Sequence, residues 1–459
     1  MERGKWLRRR VPGLVAVAMA WMFSMPVVQA TTVHQQVLEN GLAVLVMVDD
    51  RAPVVTAQLW YRAGSMDEPA GATGIAHMFE HMMFKGTENM APGEFSERVA
   101  RLGGRDNAFT SRDFTAYYQT VAAEYLEDIM AWEADRLANL SLDEKEFLRE
   151  RDVVKEEWRS RFRDNPDSRL YAMLQATAFA NSGYHHPVIG WETDIDHYAM
   201  SDLEAWRAAH YAPNNAVLVV VGDVDPEAVF AMAREHYGPI PARKLPVSKP
   251  RQEIEQHGMR SLELELPAQL PRLMMGYKVP SLATVGEEEP WVPYALAVLA
   301  GVLSGSDSAR FADELIRPGR LAAASASYDL TARAQTLFTL QAIPNDGQSL
   351  VEVEQILREQ LERLREEPVT GQELARIKTQ VIASEVYARD SLFYQGMRLG
   401  IYETAGIGHE EVARYVERIE AVTAEQVRAV AGRYLVDRGL TLARLHPQTA
   451  EAPQGRTAQ

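Results

Sequence analysis

His77, Glu80 and His81 sit within the run GIAHMFEHMMFKGT. Histidines four apart share one face of an α-helix, and a glutamate at the third step points into the same space. Imidazole nitrogens bind Zn²⁺ at about 2.0 to 2.1 Å, and a catalytic zinc takes three protein ligands and leaves a fourth position to water. A carboxylate beside that water can take its proton. The 459 residues contain no cysteine, so thiolate nucleophiles and disulfides are excluded and any metal must be held by nitrogen and oxygen. With 11 histidines in the chain, H-x-x-E-H can arise by chance, so a third ligand has to be found.

The segment SLDEKEFLRERDVVKEEWRSRFR reads as a helix capped by Ser141, with an apolar stripe of Phe147, Val154 and Trp158. At about 100° per residue, Glu150 and Glu157 fall about 60 to 80° from the stripe and about 20° from each other. Both can face inward together. Glu156 points the opposite way and should be solvated, the usual fate of a helix glutamate.

These residues need a frame. Before the histidines, ENGLAVLVMVDDRAPVVTAQLWYRAGS supplies two β-rich runs, so the histidine helix packs on a sheet. Ile75, Met78, Phe79, Met82 and Met83 make that helix unusually apolar, and Lys85-Gly86-Thr87 ends it. A helix over about 92–102 leads to one or two strands in DNAFTSRDFTAYYQTV, and AAEYLEDIMAWEADRLANL is helical. His185 and His186 before Pro187 read as a loop or the wall of a cleft, and His210 ends a helix where a cation would suit the dipole. SDLEAWRAAHYAPNNAVLVVVGD and TAEQVRAVAGRYLVDRGLTLARLHP share one form, a capping-box helix, a short turn and a strand, which points to a duplicated unit. The second copy has no H-x-x-E-H.

Length divides accordingly. Residues 1–30 carry a basic start, an apolar run from Val11 to Phe23 and small residues ending at Ala30, the pattern of a cleaved secretory signal, with an uncleaved amino-terminal anchor as the alternative, and no later segment resembles a membrane span. The remainder suits two α+β domains, a metal-bearing one over 31–238 and one without a metal site over 252–459, joined by a proline-rich linker over 239–251. The formal charge of −16 becomes −20 without the first thirty residues, which excludes nucleic acid as an expected partner.

Taken together, ENGLAVLVMVDDRAPVV, GIAHMFEHMMFKGT, DNAFTSRDFTAYYQTV, ADRLANL, ERDVVKEEW, APNNAVLVVVGDVDP and VTAEQVRAVAGRYL resemble the inverted-motif zinc peptidases that include pitrilysin, insulysin and the mitochondrial processing peptidase. The likeness is greatest to short bacterial members of the processing-peptidase β-subunit type. It implies one Zn²⁺ per chain on His77, His81 and Glu157, Glu80 as general base, and Glu150 as the accessory glutamate. It also implies two similar domains, each a mostly antiparallel sheet packed with helices, in a clamshell around a peptide cleft. The substrate would be added as a strand along Asn107, Ala108, Phe109 and Thr110. The family's second-domain arginine and tyrosine fall on Gly319 or Arg320 and on Ala323, with Tyr328 further along as a core residue. That departure implies a homologous subunit, in a heterodimer or homodimer, supplying the missing pair. The activity implied is hydrolysis of unfolded peptides by an endopeptidase, and the signal pattern with the bacterial look of the motifs points to export to the periplasm. A non-catalytic peptide-binding or assembly subunit of the same fold is the competing class, but it has no need of a complete ligand set with a base.

Overall fold

A computed structural model describes residues 32–246, 249 and 251–448. The secretory-signal reading of 1–30 lies outside the described residues. The first half runs β1 (Val33–Val37), β2 (Ala43–Val48), β3 (Val54–Tyr61), α1 (Ile75–Met82), α2 (Glu94–Arg101), β4 (Arg105–Thr110), β5 (Thr115–Ala122), α3 (Leu126–Asn139), α4 (Glu144–Trp158), α5 (Pro166–Ala178), α6 (Glu192–His197), α7 (Met200–His210), β6 (Ala216–Gly222) and α8 (Pro226–His236). The second runs β7 (Arg260–Leu266), β8 (Arg272–Val279), α9 (Val292–Ser304), β9 (Ala323–Tyr328), β10 (Thr336–Ile343), α10 (Leu350–Glu366), α11 (Gly371–Ala388), α12 (Leu392–Thr404), α13 (Glu410–Ala421), α14 (Ala424–Tyr434) and β11 (Leu440–Pro447). No helix among the described residues is long and apolar enough to cross a membrane.

The first sheet has the order β1-β2-β6-β3-β5-β4 and the second β7-β11-β8-β10-β9. In each, the strand that follows the repeated helix (β6 or β11) inserts parallel to one neighbour and antiparallel to the other. All other pairings are antiparallel. The two sheets therefore share one topology, with β1 as an addition to the first. The repeated helices start differently. Thr423 and Gln426 form the full reciprocal cap on α14, whereas α7 begins at Met200 and only the Asp202 carboxylate reaches back, to the Ala199 N–H, with Ser201 inside the helix.

Each half covers one face of the other's sheet. Leu170, Leu174 and Ala178 of α5 pack on Met274, Leu337, Ala443 and Leu445 of the second sheet. Reciprocally, Leu399 of α12 packs with Leu45, Trp60, Val217 and Val219 of the first. Gly400 permits that approach: a Cβ there would stand 2.1 Å from the Trp60 ring. Separating the halves would uncover both faces at roughly 2 kcal/mol per buried leucine.

Glu253 fastens the same junction. Its carboxylate accepts the N–H groups of Ala180, Asn181 and Ser182, just beyond α5, and the Lys278 ammonium of β8 at 2.7 Å. Burial opposes ionisation of this carboxyl, but the lysine and three amides outweigh it and hold its pKa at about 2, against an ordinary 4.5. A depressed folded-state pKa gives stability that is complete above 4.5 and lost as pH falls towards 2. E253Q should cost about 3 kcal/mol at pH 6, and the gap to wild type should shrink between pH 4.5 and 2, read from urea midpoints of metal-free protein. A gap independent of pH would remove this account.

Candidate metal centre

Helix α1 turns its two histidines towards Glu157 of α4, on a different side from its apolar face. Ile75, Met78, Phe79 and Met82 are fully buried in the first core, so the helix cannot rotate without exposing them. Its N-terminus has no side-chain cap, because Gly74 sits there with φ +90°. Glu68, fully buried, serves instead: its two carboxylate oxygens accept the N–H groups of Gly74 at 2.6 Å and Ala76 at 2.9 Å. A carboxylate at a helix N-terminus satisfies orphan donors and complements the dipole. Glu68 thus fixes the turn that delivers His77.

Helix α4 supplies the facing glutamates. It starts at Asp143, whose carboxylate accepts the Glu146 N–H at 2.9 Å, and not at the expected Ser141, whose N–H is held by the Gly86 carbonyl before the helix begins. Phe147 and Val154 are buried as the stripe predicts, and Glu156 is 70% exposed. Donor atoms of His77, His81 and Glu157 all lie within 4.8 Å of one another. Glu157 is 3.8 Å from His77 Nε2 and 3.5 Å from His81 Nε2. Glu150 occupies the other side of His81, with Oε1 2.9 Å from Nδ1.

Two nitrogens and one carboxylate gathered this closely fit a zinc ion, with His77 and Glu157 held in ligand forms and His81 having to give up a proton to a metal. Burial, reinforced by neighbouring His81, pushes the His77 imidazole down to about 4, so it is neutral at physiological pH. Burial pushes His81 the same way, but its bonds to Glu150 and Glu157 prevail and raise it to about 9. Glu157 is held below the carboxylate range chiefly by its bond to His81. His77 Nδ1 is buried without a partner, whereas His81 Nδ1 is oriented by Glu150.

Glu80 lies half-buried beside this trio. The Thr110 hydroxyl donates to its Oε2 at 2.5 Å. Burial raises the Glu80 carboxyl and the Thr110 bond partly offsets that. Thr110 ends β4, the last strand of the sheet, whose outer edge is unpaired among the described residues. Asn107 is exposed, while Ala108, Phe109 and Thr110 are half-buried. Helix α1 and this strand edge are thus neighbours, and Thr110 joins them.

Three contributors were not found from sequence. Lys85 pairs with Glu150, and Arg161 pairs with Glu157 at 2.7 Å. Both follow a site residue by four positions, a spacing that could have named them. Glu68 left no such signal, because its partners are backbone amides. His186 is fully buried near Glu68, with Nδ1 3.6 Å from the carboxylate, and is not a cleft wall. His185 donates to the Ser182 carbonyl. His210 packs against Trp206 with the rings tilted, and burial lowers its pKa, so desolvation overrides the helix dipole and disfavours the cation. Arg320 is spent on Glu359, and the Tyr328 hydroxyl donates to the Pro280 carbonyl while its ring stacks on Phe338. Glu403, His409 and Glu410 form another cluster, explained by the His409 N–H and ring both bonding Glu403 at the start of α13.

The chain matches the family model Insulinase (Peptidase family M16) over 44–191 and Peptidase M16 inactive domain over 199–381. It is 32% identical over 351 residues to zinc protease PqqE of Helicobacter pylori, covering 75% of this chain and 78% of that one. An uncharacterized zinc protease of Bacillus subtilis, YmxG, is 26% identical across 89% of this chain and 97% of its own. A crystal structure of a Helicobacter pylori protease superposes with TM-score 0.86 at 28% identity, over 91% of this chain and all of that one. The fold also matches the periplasmic protease PqqL of Escherichia coli, with TM-score 0.75 at 20% identity, over 90% of this chain and 47% of PqqL. With sheets of one topology, His77, His81 and Glu157 gathered in the first half and these matches spanning both halves, this chain belongs to the insulinase family of peptidases, family M16.

Proposed function

We propose that this chain is a zinc-dependent endopeptidase of unfolded peptides or small polypeptides, exported to the periplasm. The observation that carries the reading is the convergence of His77, His81 and Glu157 donor atoms within 4.8 Å, with the Glu80 carboxylate beside them. The names of its relatives, zinc proteases, support the same reading. The signal-like pattern of residues 1–30 supports export.

His77, His81 and Glu157 would hold one Zn²⁺, which when bound would lower the pKa of a water and polarise the scissile carbonyl. Glu80 takes the proton. Thr110 holds one of its oxygens, leaving the other for the attacking water, and burial moves its carboxyl towards the operating pH, where a general base is most effective. Glu150 keeps the His81 ring turned so that Nε2 faces Glu157, and Lys85 steadies Glu150. The outer edge of β4 offers main-chain donors and acceptors from Asn107 to Thr110 to an extended peptide, independent of its sequence.

The reading includes a divided site. Neither Arg320 nor Tyr328 is free, and PqqL is about twice the length this chain matches, which supports a second unit of the same kind as the missing wall. Full chain beside a homologous subunit should hydrolyse an unstructured peptide, lose activity to a chelator and regain it with one zinc per chain, and full-rate cleavage by the chain alone that no partner raises would remove the divided site. Zinc uptake without cleavage, alone or with a homologous subunit, would leave a peptide-binding scaffold instead. T110V should lower kcat about tenfold with KM nearly unchanged, and T110S should restore it, because the lost bond orients the base and not the peptide.

A further inference from the structure

The turn between β4 and β5 carries a charge, Arg112, that has no carboxylate partner among the described residues. Arg112 has five N–H donors, of which one is engaged, Nη2 to the Tyr171 hydroxyl at 3.2 Å. Its Nε is buried with no partner. The guanidinium stands 5.6 Å from the ring centres of both Tyr171 and Tyr184. Its sequence neighbour Asp113 is occupied elsewhere: both carboxylate oxygens accept the Tyr184 hydroxyl, and the Arg333 N–H and guanidinium take the rest. Two aromatic faces attract a cation but satisfy none of its N–H groups. A desolvated guanidinium with open donors is therefore poised for an anion, and carboxylate is the anion its planar fork fits.

A cavity of about 490 Å³ adjoins it, lined by Thr110, Arg112, Tyr184, Asp329, Thr331 and Ile401 among others. Asp329 is the other acid on this wall besides Asp113, and its carboxylate is turned to its own loop, where it accepts the Thr331 N–H and hydroxyl. The position is informative. Thr110 lines the cavity and touches Glu80, so the cavity opens where a peptide lying along β4 would run off the strand. At about 3.3 Å per residue, that places its contents about one to three residues from the bond facing Glu80.

We propose that this cavity is a subsite for a carboxylate of the bound peptide, read by Arg112. The carboxylate comes from an acidic side chain or from the peptide's own C-terminus. The proposal rests on the peptidase reading for its position, not for its chemistry.

The test uses zinc-loaded full chain and a set of unstructured, end-blocked peptides in which a single Glu or Gln is moved through three positions on either side of the scissile bond. A second set ends at each position with a free or an amidated C-terminus. At one position Glu should raise kcat/KM about tenfold over Gln, or the free terminus over the amide, and which set responds identifies the source. R112Q should abolish that preference while cleaving the Gln peptide within about threefold of wild type. R112K, which keeps the charge and loses the fork, should retain part of it. A merely structural Arg112 would slow all peptides alike, and that result overturns the proposal, as does the absence of any carboxylate preference. Binding of the same peptides to E80Q, by calorimetry, separates this from the activity itself. If that chain binds the Glu peptide about tenfold more tightly than the Gln peptide, and R112Q/E80Q does not, the subsite stands even where no hydrolysis is found. If inorganic phosphate binds in an Arg112-dependent way while the peptides do not differ, the peptide source is wrong.

Discussion

E80Q should lower peptide hydrolysis by about 10² to 10⁴-fold while the protein keeps its zinc, measured as kcat/KM beside metal content. The amide preserves the volume of the side chain and its contact with the Thr110 hydroxyl, so the strand edge and α1 stay where they are. What it removes is a basic oxygen. Glu80 is not one of the three residues whose donor atoms gather within 4.8 Å, so metal affinity should change little. If E80Q retained activity, the base would have to be another group; if it lost zinc as fully as a ligand variant, Glu80 would belong to the ligand set.

E157A should lose zinc by more than about 100-fold in affinity, whereas E150Q should lose about 10 to 100-fold and E156A almost nothing. Glu157 faces both imidazole Nε2 atoms, Glu150 faces only the rear nitrogen of His81, and Glu156 is on the outside of the helix in a pair with Arg159. Competition with a coloured chelator ranks the three variants. Equal losses for E157A and E156A would remove Glu157 from the site. Arg161 adds a control: pairing with Glu157 at 2.7 Å, it competes for that carboxylate, so R161Q should bind zinc at least as tightly as wild type.

The gathering of the candidate site residues was legible because their geometry is local. His77, Glu80 and His81 are held together by one turn of helix, and Glu150 and Glu157 share a face of α4 through the same 3.6-residue period. The duplicated unit was legible too, since α7 with β6 and α14 with β11 each form a contiguous segment with a repeated hydrophobic pattern. Where a neighbouring contact decided the outcome, sequence misled: Asp143 took the cap expected of Ser141, and burial disfavoured the cation that the helix end suggested at His210.

The sequence by itself determined the elements, the number of sulfur ligands available, which is none, and the pair of helices that could face each other with nitrogen and oxygen donors. Only the tertiary structure decided that α1 and α4 do face each other, that Thr110 reaches Glu80 from a strand thirty residues away, and that Glu68 caps α1 through backbone amides. It also decided that α5 and α12 are exchanged between the halves, which binds them into one body. The physical reason is common to all four. Periodicity records which side of an element is buried, but the identity of the group buried against it depends on chain reversals, as short as the six residues from Glu68 to Gly74 and as long as hundreds, and those leave no periodic mark.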